Sequence, residues 1–309
     1  MMESKHITLA RTLGKLRDDY LIYHYTSPEV FVKILEEGLW ATHSFFLNDS
    51  TEVLHGNHLA QLVFDKLKLN DQLEVLQRNL DKLDVFVTCF SREQDSLYQW
   101  KAYTPHGGFA IAFSRKELFE EVNKVALSKE NAEQKQLHVK RAFATCGDIS
   151  DENYLFFFLE KCNYSSEEIL AEIVEQIKHR YIQAPSLFNP ECRDILDKYG
   201  ALDAMDNFAT VPIIKLLCSM TKNETFYIEN EERLICIAQK SLRKNIELIG
   251  NKPRIKVPAT AESLRKLIKQ VIVSPHGNRK RNKYFAEIFR DKYNLNFEIK
   301  HSISSSNGE

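Results

Sequence analysis

The sequence has no long apolar segment, no signal-peptide pattern and no excess of charge of either sign. Its apolar runs are strand-sized pieces such as 85–87, far shorter than the roughly 18 residues that a membrane span requires. Residues 1–9 contain neither the basic nor the apolar region of a signal peptide, so we expect a soluble, cytoplasmic protein without a membrane partner. The 42 Lys and Arg residues nearly balance the 43 Asp and Glu residues, so net charge gives no general attraction to nucleic acid.

Common catalytic and metal-binding motifs are also missing. The six cysteines contain no Cys-x-x-Cys pair, which predicts free thiols and argues against a structural zinc site or a disulfide framework. The chain lacks the glycine spacing of a phosphate-binding loop or a dinucleotide fingerprint, and it has no Gly-x-Ser-x-Gly serine elbow. His55 and His58 are three residues apart without an accompanying acidic or cysteine pair, so we expect no metal.

What the sequence does contain is a series of short extended segments and periodic helical segments, which predicts an α/β (α+β) fold. Extended segments rich in β-branched and aromatic residues lie in the first and last thirds of the chain. We therefore predict a mixed sheet core formed by the N- and C-terminal thirds, with a largely helical insert in the middle. The predicted strands are 21–26, 39–42, 85–91, 108–113, 225–228, 233–238, 271–273 and 297–299.

Helices are predicted from apolar periodicity and from residues that start or end a helix. Ser27 followed by Pro28 is typical of a helix start, and Gly38 is typical of its end. Further helical periodicity covers 52–69, 71–82, 151–180, 206–221, the region near 260–270 and 276–292. The predicted units, in chain order, are a leading helix (1–20), a core of two pieces (21–114 and 225–300), a helical insert or subdomain (115–224) and a disordered tail (301–309).

His24 is a polar residue within the otherwise apolar or aromatic strand 21–26. Strand alternation places His24 and Thr26 on one face and Tyr25 on the other. One interpretation is a core histidine whose ring is hydrogen-bonded to the backbone. The other is a strand end that offers donors to the ribose or amide of a ligand where the strand meets a loop.

The segment Glu229-x-Glu231-x-Arg233 concentrates charge beside a predicted strand. At strand period the three side chains share one face. Arg233 can neutralise one carboxylate through a bidentate pair, and the remaining carboxylate then has its pKa raised by its like-charged neighbour. Such an acid suits a general base or an acceptor for a sugar hydroxyl. The alternative interpretation is an exposed edge strand with a solvated run of charge.

Two further patterns have both ordinary and functional interpretations. Ser91, Trp100 and Tyr103 supply a hydroxyl and aromatic rings after a predicted strand, although the helical spacing of the two rings is also typical of a core. The basic run 278–283 is typical of a solvated helix start, with nucleic-acid contact as the alternative.

The order of these segments resembles that of the bacterial family DUF2971, a domain of unknown function. The resemblance runs from about residue 21 to 300, with the helical middle unmatched. Glu232 stands where the family usually has an aromatic residue, and Ser274 replaces a more usual glycine before Pro275; neither change removes a candidate catalytic group. The matching segments are 23–26, 34–40, 47–49 with Glu52, 89–91, Trp100 with Tyr103, 108–113, 229–233 and 271–275.

The opening segment, an extended His-Tyr-Thr followed by a helix ending Ile-Leu-x-x-Gly-Leu, is also similar to the first motif of ADP-ribosyltransferase folds. This similarity implies that NAD is the substrate. It further implies that His24 contacts the NAD ribose, that Glu231 is the catalytic glutamate and that Glu229 is its partner. The implied cofactor-binding residues are His24, Tyr25, Thr26, Ser91, Trp100, Tyr103 and Arg233.

Three functions are therefore compatible with the sequence. The first is an ADP-ribosyltransferase or NAD glycohydrolase, a bacterial toxin or antiviral defence effector acting on an unknown macromolecular acceptor, protein or nucleic acid. The second is a non-enzymatic module that senses a nucleotide or a partner through the same cleft. The third is a metal-dependent nucleic-acid enzyme that uses the basic run 278–283 with an acidic pair, although the near-zero net charge counts against it.

Overall fold

The computed structural model describes residues 19–47, 62, 81, 83–128, 155–162, 164, 215 and 218–304. Ten strands in these residues form one mixed sheet, and helices pack on it, so the predicted α+β class is confirmed. The strands are β1 (Leu21–Thr26), β2 (Trp40–His43), β3 (Leu83–Ser91), β4 (Phe109–Ser114), β5 (Leu155–Lys161), β6 (Glu231–Gln239), β7 (Glu247–Ile249), β8 (Lys252–Lys256), β9 (Ile268–Val273) and β10 (Glu298–His301).

The helices within the described residues connect these strands. Helix α1 begins at an N-cap serine, Ser27, and ends where Gly38 adopts φ 102° and donates its backbone N–H to the Ile34 carbonyl at 3.1 Å. A positive φ of this size favours glycine, so the predicted end of this helix is confirmed. The α-helices are α1 (Pro28–Glu37), α2 (Leu97–Tyr103), α3 (Arg115–Ser128), α4 (Ala261–Leu267) and α5 (Arg279–Lys292), and short 3₁₀ helices cover Ser44–Phe46, Glu224–Glu229 and Lys240–Asn245.

The sheet branches at β3. Its main path runs β10-β9-β4-β1-β3-β2-β8-β7, and β6 pairs with the remaining edge of β3 and with β5. All these pairs are antiparallel except β9 with β10. The N- and C-terminal parts of the chain thus alternate within one sheet, as predicted from the distribution of strands.

One edge of β3 is shared between two strands that diverge from each other. Strand β1 pairs with it only at Tyr23 and Ser91, whereas β2 pairs with it at Val87 and Phe86. The stretch of β3 between these contacts, including Cys89, therefore has no partner strand on this edge. This gap in the ladder is where the candidate site forms.

The two faces of the sheet carry different cores. The larger core lies under α1, α3, α4 and α5 and includes Phe31, Phe86 and Phe113, all fully buried. The opposite face carries a smaller cluster around Trp100 and another around Val87 and Ile235. Strand alternation places Glu231 and Arg233 on this second face, with Ile235, whereas His24 lies on the face of the larger core, with Ile22.

Three sequence predictions need correction. Residues 155–161, predicted within a helix, form β5, because their backbone pairs with β6 along the whole segment. Residues 225–228, predicted as a strand, lie in the 3₁₀ helix Glu224–Glu229, which has an Asn223 N-cap and ends at Asn230 in the left-handed region (φ 42°). Residues 301–304, predicted as disordered tail, include the end of β10 and are hydrogen-bonded to Asp95.

Several other predictions lie outside the described residues. These are the leading helix over 1–18, the matching positions 48–49 and Glu52, the helices at 52–69 and 71–82 apart from residues 62 and 81, most of the helical insert, and the tail beyond residue 304. No helix among the residues that the structure describes is long and apolar enough to cross a membrane.

Candidate functional site

A cavity of about 720 Å³ opens at the gap between β1 and β2. Its size is within the range typical of sites for small molecules and cofactors. The described side chains around it come from β1, α1, β2, β3, α2, β6 and β8 and from the segment before β6. The cavity contains six of the residues predicted from sequence, namely His24, Tyr25, Tyr103, Glu229, Glu231 and Arg233.

His24 reaches across the gap to Cys89 of β3. Its Nδ1 lies 2.9 Å from the Cys89 carbonyl oxygen, and because a carbonyl only accepts, Nδ1 must carry the proton. Burial lowers the pKa of His24, and the hydrogen bond to Cys89 opposes this shift only in part. A neutral ring with Nδ1 protonated presents Nε2 as an acceptor, so His24 suits a ligand hydroxyl group.

The acidic segment is organised around a lysine, Lys222. Its Nζ lies 2.6 Å from Glu229 Oε2 and 2.8 Å from Glu231 Oε2. The Nε of Arg233 lies 2.9 Å from Glu231 Oε1, and Nη1 of the same guanidinium donates to the Ser219 carbonyl at 2.8 Å. Two carboxylates and two cations therefore form one buried network at the cavity wall, with no net charge.

The two glutamates of this network differ in acidity. Burial raises the pKa of Glu231, but Arg233 and Lys222 outweigh burial and hold it at about 2. For Glu229, burial is the larger effect and the Glu231 charge adds to it, so its pKa is raised despite Lys222. Glu231 is thus a permanent carboxylate, and Glu229 is the member better able to accept a proton.

The predicted alignment of the three charged residues is only partly that of a strand. Glu231 and Arg233 lie on one face of β6, as alternation requires. Glu229 instead ends the preceding 3₁₀ helix, and the left-handed residue Asn230 turns the chain into β6. The common contact with Lys222, rather than strand period, brings Glu229 beside Glu231.

The aromatic residues of α2 divide into one that lines the cavity and one that supports it. Tyr103 lines the cavity, and burial raises the pKa of its hydroxyl, so the hydroxyl stays protonated. Trp100 is fully buried and does not line the cavity. Its ring packs edge-on against Tyr25 with centroids 4.6 Å apart, and its indole N–H donates to Asp95.

Ser91 and Thr26 lie near the cavity without lining it. The Ser91 hydroxyl donates to the Glu229 carbonyl at 2.7 Å and accepts from the Glu93 backbone N–H at 3.1 Å. It also lines a smaller pocket of about 70 Å³ beside the two glutamates. Thr26 is buried at the end of β1, opposite Phe109. The Ser91 hydroxyl therefore links β3 to the segment before β6.

Sequence reasoning missed three residues that shape the cavity: Lys222, Trp40 and Arg254. Lys222 lies at the end of the predicted helical insert, where nothing in the local pattern marks it. Trp40 and Arg254 lie on β2 and β8, which pair with each other, and strand β8 was not predicted. Only the separation of Lys222 from Glu229 and Glu231, seven and nine residues along the chain, hinted at a local ion pair.

A second buried acidic group lies on the other face of β6. The Glu232 carboxylate is fully buried, is 2.7 Å from Arg115 Nε and accepts a hydrogen bond from the Tyr20 hydroxyl. Nearby, burial raises the pKa of Glu160 to about 7, with Arg115 opposing and Glu232 reinforcing the shift. Glu232 stands where the resembled family usually has an aromatic residue, and here Arg115 and Tyr20 make its burial tolerable.

Among the described side chains, no three His, Cys, Asp or Glu residues are grouped so that they could hold a metal ion. The basic run 278–283 lies at the start of α5, where Asn278 caps the helix. The described residues therefore give no support to the hypothesis of a metal-dependent nucleic-acid enzyme. Fold and site together define an α+β protein with a half-open cavity whose wall is a buried network of paired charges.

Comparison with known proteins agrees with the resemblance over part of the chain. The model of DUF2971, a protein family of unknown function, matches residues 99–234. This segment contains Tyr103, Lys222 and the three charged residues 229, 231 and 233, whereas His24 lies outside it. No curated protein and no solved structure matches the chain. Similarity to DUF2971 is thus confirmed for residues 99–234, and the match includes the middle region 115–224, which the resemblance had left unmatched.

Proposed function

We propose that the cavity is the active site of an ADP-ribosyltransferase-like enzyme that uses NAD as its substrate. The observation that supports this proposal is that His24 and Glu231, widely separated in sequence, line the same cavity. The N-terminal motif implies a ribose contact for His24 and a catalytic role for Glu231. Their presence in one cavity supports such a pair of roles.

The chemistry that fits this site is cleavage of the bond between ribose C1′ and the nicotinamide nitrogen. Nicotinamide leaves with the bonding electrons, and positive charge develops on the ribose ring. A carboxylate with a pKa of about 2 remains charged at neutral pH, so Glu231 suits electrostatic stabilisation of that charge. Arg233 and Lys222 hold the carboxylate in a fixed position, which limits the reorganisation needed during the reaction.

The second half of the reaction requires a group that takes a proton from the acceptor. Glu229 has a raised pKa and lies beside Glu231 through Lys222, so we assign it this role. The incoming oxygen or nitrogen nucleophile adds to C1′ and transfers its proton to Glu229. Water as the nucleophile makes the enzyme an NAD glycohydrolase, and a macromolecular acceptor, protein or nucleic acid, makes it a transferase.

Release of nicotinamide from NAD by the purified protein, with and without cell lysate, tests this function. Glu231→Gln is expected to lower kcat by about 10²–10³-fold, because it removes a charge used in the transition state. Glu262→Gln is the matched control, since that carboxylate lies on an exposed helix away from the cavity. Circular dichroism of each variant verifies that it is folded.

His24→Asn provides a second variant, because asparagine can still donate to the Cys89 carbonyl but lacks the acceptor at Nε2. We expect it to raise KM for NAD. A folded wild-type protein that neither binds nor cleaves NAD would rule out the proposed function. Full activity of Glu231→Gln would remove this residue from the catalytic role.

A non-enzymatic nucleotide sensor is the second candidate, and one observation favours it. Both oxygens of Glu231 contact cations of the protein itself, Lys222 and Arg233, as expected of a carboxylate with a structural role. Under this alternative, NAD raises the melting temperature by mass action without any release of nicotinamide. The same assay therefore separates the two functions.

A further inference from the structure

Two buried donors in the cavity wall have no hydrogen-bond partner among the described residues. They are the indole Nε1 of Trp40 and the guanidinium Nε of Arg254. A buried donor left without an acceptor costs free energy, so most such groups in folded proteins are paired. Both side chains line the cavity, so an acceptor on a ligand is the simplest partner for them.

These donors lie on the same face of the sheet as Glu231 and Arg233 of the buried charge network. Thr42 pairs with Val87 of β3 and with Arg254 of β8, and partners in an antiparallel ladder point to the same side. Trp40 is two residues from Thr42 and shares its face. The strand order β8-β2-β3-β6 places β2 about 10 Å and β8 about 14 Å from β6, at roughly 4.8 Å per strand.

Charge distinguishes this wall from the one formed by β6. Lys222 and Arg233 are matched by Glu229 and Glu231, so that wall is neutral. The only other carboxylate among the described cavity-lining side chains is Glu37, one helical turn from Lys33 on α1. The β2–β8 wall carries the positive charges of Lys252 and Arg254, and none of the described cavity-lining carboxylates lies on these two strands.

We propose that the β2–β8 wall is a subsite for the diphosphate of a dinucleotide, with Trp40 Nε1 and the Arg254 guanidinium as its donors. Charged phosphate oxygens accept well from guanidinium and indole N–H groups. An extended ligand can then place its phosphates here and its ribose at His24 and Glu231. The choice of NAD as the ligand rests on the proposed function, whereas the anion subsite rests on the two donors.

Isothermal titration with inorganic pyrophosphate and with NAD, at constant ionic strength, tests the subsite. Arg254→Gln is expected to weaken pyrophosphate binding at least about tenfold, because it removes a charge-assisted contact. Trp40→Phe keeps the ring and removes only the N–H, so we expect about threefold weaker binding. Arg290→Gln removes the same charge as Arg254→Gln from helix α5, outside the cavity, and should change binding less than twofold.

The results separate the subsite from the proposed function. Loss of pyrophosphate binding in Arg254→Gln, in a protein that does not cleave NAD, supports the subsite and rejects the enzyme. Nicotinamide release with an unchanged KM in folded Arg254→Gln supports the enzyme and rejects the subsite. Equal weakening by Arg290→Gln, or no binding of pyrophosphate and NAD to the wild-type protein, also overturns the subsite.

Discussion

Replacing Lys222 by methionine tests the buried charge network from which the site is built. Lys222 is 5% exposed and contacts Glu229 and Glu231 at 2.6 and 2.8 Å. Methionine fills a similar volume but leaves two carboxylates with one remaining cation, Arg233. Removing one partner of a buried ion pair typically costs about 3–5 kcal/mol. We expect about 3 kcal/mol for Lys222→Met at pH 8, the lower end, because Arg233 still pairs with Glu231.

The loss of stability should depend on pH in a defined direction. The pKa of Glu229 is already raised above its usual value by burial, and removal of Lys222 raises it further. A carboxyl group whose folded pKa exceeds its unfolded pKa favours the folded state more as pH falls. The deficit of Lys222→Met should therefore shrink between pH 8 and pH 5.5, and adding Glu229→Gln should restore much of the stability at pH 8.

Urea denaturation followed by fluorescence of the two tryptophans measures these differences. Lys266→Met is the control, because its pair with Glu262 has a similar separation of 2.7 Å but is exposed and should contribute little. A Lys222→Met protein as stable as Lys266→Met at pH 8 would refute the network. A deficit that grows toward low pH would refute the assignment of the raised pKa to Glu229.

Two further predictions concern residues around the site. In thermal melts, Glu160→Gln should be stabilised relative to the wild type more at pH 8 than at pH 5. The folded pKa of Glu160, about 7, lies above the usual 4.5, so the wild-type protein loses stability as the pH rises through 7. An equal gain at both pH values contradicts this. Asp95→Asn should make the C-terminal segment more susceptible to carboxypeptidase. The Asp95 carboxylate accepts hydrogen bonds from Ser302, Ile303 and Ser304 and from the Trp100 indole. Asp291→Asn, on the exposed side of α5, is the control, and equal digestion of the two variants contradicts the prediction.

Sequence pattern predicted the sheet strands best where alternation and burial coincide. Strands β1, β3, β4 and β6 were placed within two residues of their ends. It failed over 155–161, because a run of aromatic and apolar residues is compatible with either a buried helix or a central strand. It failed over 225–228 because the caps at Asn223 and Asn230 override the strand preference of Thr, Phe, Tyr and Ile.

The sequence allowed prediction of His24, Glu229, Glu231 and Arg233 as site residues, but not of Lys222, Trp40 and Arg254. Alternation correctly placed Glu231 and Arg233 on one face, and the N-terminal strand drew attention to His24. For Lys222 the local signal was only its separation of seven and nine residues from Glu229 and Glu231, which does not by itself show that all three side chains meet. Trp40 and Arg254 share a wall only because β2 and β8 pair across more than 200 residues of chain, which no short motif records.

A crystal structure of Glu231→Gln soaked with NAD tests the central claim most directly, because this variant should bind NAD without cleaving it. We predict the nicotinamide ribose within hydrogen-bond distance of His24 Nε2, in the cavity shared with Glu229 and Arg233. The diphosphate should lie against Trp40 and Arg254. The account would be contradicted if NAD bound elsewhere on the protein. It would also be contradicted if crystals of the folded variant soaked at saturating NAD contained no bound NAD.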